Sequence, residues 1–201
     1  MVFYEPSARP RDLLPHDPLK AIVSPRPIGW VSTVSAAGAV NLAPYSFFNQ
    51  LHTNPAILAL ASEGRKDTLR NLEQVGEFVW NLASFELREA MNATSATVAQ
   101  GIDEFELAGL DKAPSRLVRP PRVAAAKAAL ECRLVEIVQL KTASGRALDG
   151  WLAIGEVVGV HIDDAVIRDG RVDGAALRSI ARCGYDEYAL VDEVFAMKRP
   201  A

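Results

Sequence analysis

The sequence predicts a mainly β fold, an antiparallel barrel or sandwich with a few added helices. Three observations support this. Short runs of β-branched and aromatic residues recur, each bounded by Gly, Pro or Asn turns. Only two or three stretches pair a helical period with a capping residue. Strands and helices do not alternate as parallel βαβ units require. The chain has 201 residues, 49% hydrophobic and 23% charged, enough for one sizeable core. A net charge of -3 gives no electrostatic case for nucleic acid or an anionic membrane. Cys132 and Cys183 stand far apart, outside disulfide or zinc spacing. The N-terminus carries acid and proline where a signal peptide would carry basic and apolar residues, and no apolar run reaches membrane-span length. A cytoplasmic protein is expected.

In order along the chain, residues 1–20 hold Pro6, Pro10, Pro15 and Pro18 and predict an extended arm, with His16 in a solvated loop. One domain then spans 21–201. The run 28–34 is a strand after the rigid Pro25-Arg26-Pro27 entry, and a turn at Gly38 returns the chain as a second strand at 40–43. Pro44 has no ladder donor, so 44–49 should leave the sheet or lie on its edge. An apolar strand at 56–61 runs into Ser62-Glu63-Gly64-Arg65-Lys66-Asp67-Thr68. Asp67 is the expected N-cap of a helix that buries Leu69, Leu72 and Val75 and stops at Gly76.

A strand follows at 77–82, then a helix capped by Ser84 with Leu87, Ala90, Met91 and Thr94 on one face. Asp103 and Glu106 have capping-box spacing. Prolines 114, 120 and 121 make 112–123 a connector, and 84–123 as a whole could be a helical excursion beside the barrel. In the strand at 130–141 the alternation blurs at Val135-Glu136, which suggests a bulge or burial on both faces. In the strand at 151–162, Leu152, Ile154, Val158 and Val160 share one face, while Gly155 and Gly159 allow a close approach. Asp173 caps a short helix through Ile180, and 188–197 is strand-like.

Several chemistries lack their motifs. There is no G-x-G-x-x-G, no P-loop and no G-x-S-x-G elbow. His16, His52 and His161 have neither HExxH spacing nor cysteine pairs beside them, so no metal is expected. What the chain does carry is an aromatic, hydrogen-bonding segment at 43–49 and a basic turn at 62–68. A basic turn at a helix N-terminus can seat a phosphate or can simply be solvated. Tyr45, Phe47 and Phe48 are equally consistent with core, Thr33 with an ordinary strand residue and Asn49 with a turn former. Arg26 could meet a carboxylate across a dimer face.

The strings RPIGWVST and NLAPYSFFN and the Gly64-Arg65-Lys66-Asp67-Thr68 turn occur in that order. With GEVVGVHI and the closing FAMKRP, they resemble the flavin reductase-like family of FMN-binding split-barrel proteins over residues 20–198. The resemblance implies a six-stranded antiparallel Greek-key split barrel, a homodimer with cofactor between subunits, FMN in preference to FAD, and NAD(P)H as transient donor. It implies Thr33 and Asn49 near the flavin ring edge, and Ser46, Phe47 and Phe48 along the ring or ribityl chain. Ser62, Arg65, Lys66 and Thr68 would lie at the phosphate. Flavin N5 is then the reactive centre and no catalytic side chain is required. His161 is either a structural histidine or a contact to flavin or nicotinamide, and Tyr185 could reach a neighbouring site.

The run Ala43 to Asn49 departs from the Ala-Ser-Ser-like string of reductases that feed monooxygenases and is similar to the flavoredoxin-like branch. The implied function is an FMN-binding oxidoreductase that passes hydride from NAD(P)H to bound or exchangeable FMN. The alternatives are a flavoredoxin-like electron carrier with a protein redox partner, or a non-catalytic flavin-binding module.

Overall fold

The computed structural model describes residues 1–200. Its strands are β1 (Arg26–Pro27), β2 (Gly29–Val34), β3 (Val40–Tyr45), β4 (Phe48–Thr53), β5 (Ala56–Glu63), β6 (Glu77–Asn81), β7 (Lys112–Ala113) and β8 (Arg122–Val123). The long pair β9 (Ala128–Lys141) and β10 (Ala147–Ile162) follows, then β11 (Ile167–Arg168), β12 (Arg171–Val172), β13 (Ile180–Arg182) and β14 (Tyr188–Leu190). The helices are α1 (Leu19–Ile22), α2 (Asp67–Val75), α3 (Arg88–Ala93), α4 (Glu104–Leu107) and α5 (Gly174–Leu177). Among the described residues no helix is long and apolar enough to cross a membrane.

The principal sheet is antiparallel with strand order β3-β2-β6-β9-β10-β5-β4, seven strands where the resemblance implied six. Its two edges, β3 and β4, are consecutive in the chain and joined only by Ser46 and Phe47. The sheet curls until Phe48 covers the start of β2, where a Cβ on Gly29 would fall 2.7 Å from the Phe48 ring. The result is a mainly β split barrel whose seam lies at β3 and β4. Pro44 sits in the edge strand β3, where its missing donor costs no ladder bond on the outer side.

Inside the barrel, Val31, Leu58, Leu60, Phe78, Cys132 and Ala153 form one core with Leu69 and Leu72 of α2. Each of those two leucines is fully buried and contributes roughly 1.5–3 kcal/mol to holding α2 against the sheet. Burial raises the Cys132 thiol far above its usual range, which keeps it inert. A second core joins Trp30 and Leu42 to Met91 of α3, Phe105 of α4 and Ile180 of β13.

Three register shifts interrupt the long pair, and the two beyond Trp151 set the phase of its core half. Ile154 pairs with Glu136 and Gly155 with Leu134, so Val135 is the extra residue, at the place where the alternation blurred. Val157 pairs with Cys132 and Gly159 with Glu131, which makes Val158 a second. The core face of β10 is therefore that of Trp151, Ala153, Gly155 and Val157, not that of Leu152 and Ile154, and the extra residue Val158 moves Val160, paired with Leu130, off the face of those two. Gly155 is required there, because a Cβ would fall 2.3 Å from the Phe78 ring.

The caps also differ from expectation in places. Asp67 is the first helical residue of α2 and Lys66 the N-cap, with no side chain on the helix N–H groups. The Asp67 carboxylate goes instead to Arg70 at 2.8 Å. Gly76 ends the helix in the left-handed region at φ 71°. Ser84 precedes a 3-10 turn and its side chain caps nothing, whereas Asp103 accepts from Phe105 N and Asp173 from Ala175 N and Ala176 N. Glu106 pairs with Lys112 at 3.8 Å. The α5 helix stops at Leu177, and β13 begins at Ile180. Residues 191–200 carry no regular structure, so the strand-like tail is limited to β14.

Between residues 112 and 123 the connector is fastened by buried polar groups of the sheet. Ser32 Oγ donates to Pro121 O at 2.5 Å, and Asn81 Oδ1 accepts from Val123 N at 2.8 Å. Arg26 is buried, and its guanidinium donates to the carbonyls of Lys20, Val23 and Cys183. It thereby ties α1 to the sheet of β1, β13 and β14, and among the described residues of this chain it meets no carboxylate.

Candidate functional site

The end of β5 and the start of α2 form one wall of a cleft of about 540 Å3. Gly64 turns the chain at φ 78°, and its N–H donates to Asp149 O at 3.0 Å. Lys66 follows with ψ 176°, extended backbone that aims the first N–H groups of α2 outward. Those groups carry the positive end of the helix dipole and have no side-chain acceptor. Of the cations along this wall, Arg65 is paired with Glu73 and lies 4.7 Å over the Trp151 ring, and Arg70 is paired with Asp67. Lys66 is exposed and makes no ion pair among the described residues.

The opposite wall comes from the segment after α3, with Thr94, Ser95 and Thr97, and from Glu104 of α4. Tyr45, Ser46 and Phe47 at the β3–β4 seam close one end, together with Lys20. Phe47 is 40% exposed, a flat apolar surface open to the cleft, with Lys20 Nζ 5.6 Å and the Arg26 guanidinium 5.9 Å from its ring centre.

Behind the cleft lies a layer of satisfied polar groups. Asn41 Nδ2 donates to Thr68 Oγ1 at 3.0 Å and to Thr33 Oγ1 at 3.3 Å, and Asn71 Nδ2 reaches Thr33 Oγ1 at 3.0 Å. Burial pushes the Tyr45 hydroxyl up, against hydrogen bonding with Thr68 and Ser62. Burial likewise raises the Glu104 carboxyl, although its Oε2 accepts the Leu42 N–H at 2.9 Å. That bond satisfies an outward donor of the edge strand β3.

Of the residues singled out in the sequence, Ser46, Phe47, Arg65, Lys66 and Thr68 line this one cleft. Thr33 stands one layer behind it. Ser62 is buried at its back, with Oγ donating to Gly64 O at 3.0 Å. Phe48 faces into the barrel, stacked on Trp80 at 5.8 Å between ring centres. Asn49 is exposed on β4 and accepts its neighbour Gln50 N at 2.9 Å. Glu104, Asn41 and the 94–97 wall were not anticipated. The hydroxyl-rich string Thr94-Ser95-Ala96-Thr97 was the one local signal for them.

His161 lies elsewhere, in a second cleft of about 550 Å3 whose lining shares no residue with the first. Its Nε2 lies 2.5 Å from Glu131 Oε1, and the fully buried Glu131 carboxylate also accepts the N–H groups of Arg116 and Leu117 at 2.7 and 2.6 Å. Burial alone would raise that carboxyl, but these bonds outweigh it and hold the group below its ordinary range. Tyr185 packs edge-on against His16, 5.9 Å between ring centres, away from either cleft's lining.

Residues 23–175 match the family model described as a flavin reductase like domain. An uncharacterised protein of Halalkalibacterium halodurans is 37% identical over 184 residues, covering 89% of this chain and 87% of its own. Among solved structures, nitrilotriacetate monooxygenase component B from Bacillus cereus superposes with a TM-score of 0.88 at 30% identity, covering 98% of both chains. The 2-nitrobenzoate 2-nitroreductase of Pseudomonas fluorescens does so with a TM-score of 0.84 at 25% identity, covering 100% of this chain and 96% of that one.

Proposed function

The chain belongs to the flavin reductase-like family, and on that premise we propose that it is an FMN-binding oxidoreductase using NAD(P)H as hydride donor. The observation that carries this reading is the uncapped N-terminus of α2, beside the unpaired Lys66, at the wall of a cleft that also exposes Phe47. An anion seat and an apolar aromatic surface within one cavity fit a phosphorylated, planar guest. Lys66, Thr68, Arg65 and the first N–H groups of α2 would hold the phosphate. Ser46 and Phe47 would serve the ring and ribityl chain, Thr33 would support them from one layer behind and Ser62 would brace the turn, while Phe48, turned into the barrel, and Asn49, outside the cleft, would not line it. When bound, FMN would supply the two-electron chemistry, which none of the side chains here offers.

The chain's own part is binding and orientation. Lys66 neutralises charge at the seat, and the Asn41–Thr68–Thr33 layer fixes the hydroxyl that faces it. The Glu104 carboxyl, on the far wall, offers an acceptor to hydroxyl groups of a guest. A homodimer belongs to the same reading, since Leu51, Val135 and Phe195 expose more than half their surface and a second copy would cover such residues. A flavoredoxin-like carrier exchanging electrons with a protein partner is the second reading. The run Ala43 to Asn49, with its half-exposed Phe47 in place of small hydroxyl residues, favours it.

The test is an absorbance spectrum of the purified chain with identification of any released chromophore, followed by anaerobic stopped-flow mixing with NADH and NADPH. FMN in the released fraction and bleaching of the bound flavin are expected. A colourless protein that binds no added FMN overturns the flavin assignment. A yellow protein that neither nucleotide bleaches leaves the carrier reading in place of the reductase.

A further inference from the structure

The second cleft lies between the 112–127 connector and the end of β10. It brings three cations, Arg116, Arg122 and Lys127, to one cavity of about 550 Å3. Lys127 is partly neutralised by Glu86 at 3.4 Å. Arg116 and Arg122 make no ion pair among the described residues. Arg122 Nε is buried without any hydrogen-bond partner, a donor withdrawn from water and left unmatched. Two carboxylates also line the cleft, and both are committed. Glu131 is taken by His161 and two backbone N–H groups, and Asp163 Oδ1 by Ala165 N at 2.9 Å. The remaining lining is apolar: Leu117, Val160, Ile162, Ala124 and Ala126.

The Glu131–His161 pair is built in. Gly159 makes room for it, since a Cβ there would crowd the Glu131 Cβ at 3.3 Å and Leu117 Cδ1 at 3.4 Å. The same carboxylate holds the backbone N–H groups of Arg116 and Leu117, so it fixes the histidine ring and the loop that carries a cation together. Buried, satisfied second partners of this kind are what hold a binding group in one orientation. The cavity thus combines an orphaned guanidinium donor, a second unpaired guanidinium, an oriented imidazole and an apolar lining.

We propose that this cleft is a second ligand site, for an organic oxyanion whose carboxylate or phosphate ester meets Arg116 and Arg122 while an apolar body rests against Leu117 and Val160. A planar guanidinium matches either oxyanion through paired hydrogen bonds. His161, held by Glu131, borders the bound body and orients it.

The test is calorimetric titration of the full-length chain with benzoate, phenyl phosphate, inorganic phosphate and the neutral control benzyl alcohol. Each titration is run with saturating FMN and again on Lys66→Met, so that the outcome does not depend on how the first cleft is used. Saturable binding of benzoate or phenyl phosphate is expected in both backgrounds, with benzyl alcohol weaker by about tenfold or more. Stronger binding of benzoate than of phenyl phosphate assigns a carboxylate ligand, and the reverse assigns a phosphate ester. Arg122→Met and the exposed Arg116→Met should each lower affinity by about tenfold or more. Because Arg116 is on the surface, loss of binding in that variant with an unchanged melting temperature reads the site and not the fold. Binding of inorganic phosphate alone, binding insensitive to both arginine variants, or no saturable binding overturns the proposal.

Discussion

Arg70 holds the Asp67 carboxylate at 2.8 Å one turn along α2, so the residue with the best capping chemistry in the helix's first turn does not cap it. An exposed pair of this kind contributes little. Asp67→Ala should therefore change unfolding free energy by less than about 0.5 kcal/mol. Asp173 accepts two N–H groups at the start of α5, and Asp173→Ala should cost about 1 kcal/mol. Urea denaturation of the two variants beside the parent checks the contrast.

A phosphate at the α2 N-terminus would rely on Lys66, the cation of that turn without an ion pair. Lys66→Met should weaken FMN by about tenfold or more while leaving riboflavin, which has no phosphate, within about twofold. Flavin fluorescence titration with both ligands reads the difference. Equal losses for both would place Lys66 away from the phosphate.

Glu104 carries a sign that can be worked out. Burial makes its carboxyl easier to protonate in the folded chain than in the unfolded one, where it titrates near 4.5. The folded state then binds more protons in that window, so this group's contribution is fully present below the unfolded value and is lost as pH rises through the folded one. Glu104→Gln keeps an acceptor for the Leu42 N–H and removes the titration. The melting temperature of the variant relative to the parent should rise between about pH 4 and about pH 7. A difference that stays flat across this range would contradict the assignment.

Gly155 faces the Phe78 ring with no room for a methyl group. Gly155→Ala must displace a fully buried aromatic or shift β10 against β9, at a cost of roughly 1–3 kcal/mol. Denaturant unfolding should show a lower midpoint with little change in slope.

The sequence was most legible where the signal was local. The break in alternation at Val135, the left-handed stop at Gly76 and the turn chemistry of 62–68 each follow from a few neighbouring residues. Val158 was hidden because Val157 and Val158 are both apolar, so an extra residue leaves no break in the pattern. Glu104 looks like an ordinary acid in the first turn of a short helix, and its burial comes only from the docking of α4 on the edge of β3. For the same reason the site was half visible, with its cationic wall written in one segment and its opposite wall supplied by packing. The intrachain acceptors of Arg26 were not legible, because they are backbone carbonyls, two nearby and one 157 positions away.

That arrangement bears on how the chain can be shortened. The family pattern ends at 175 and begins at 23, yet Lys20 and Cys183, whose carbonyls are two of the three oxygen acceptors around the Arg26 guanidinium, lie beyond those limits. Cutting at the pattern's borders would strand a cation in the interior and strip Ile180 from the second core, so the smallest piece that folds must reach past both ends of the recognisable motif.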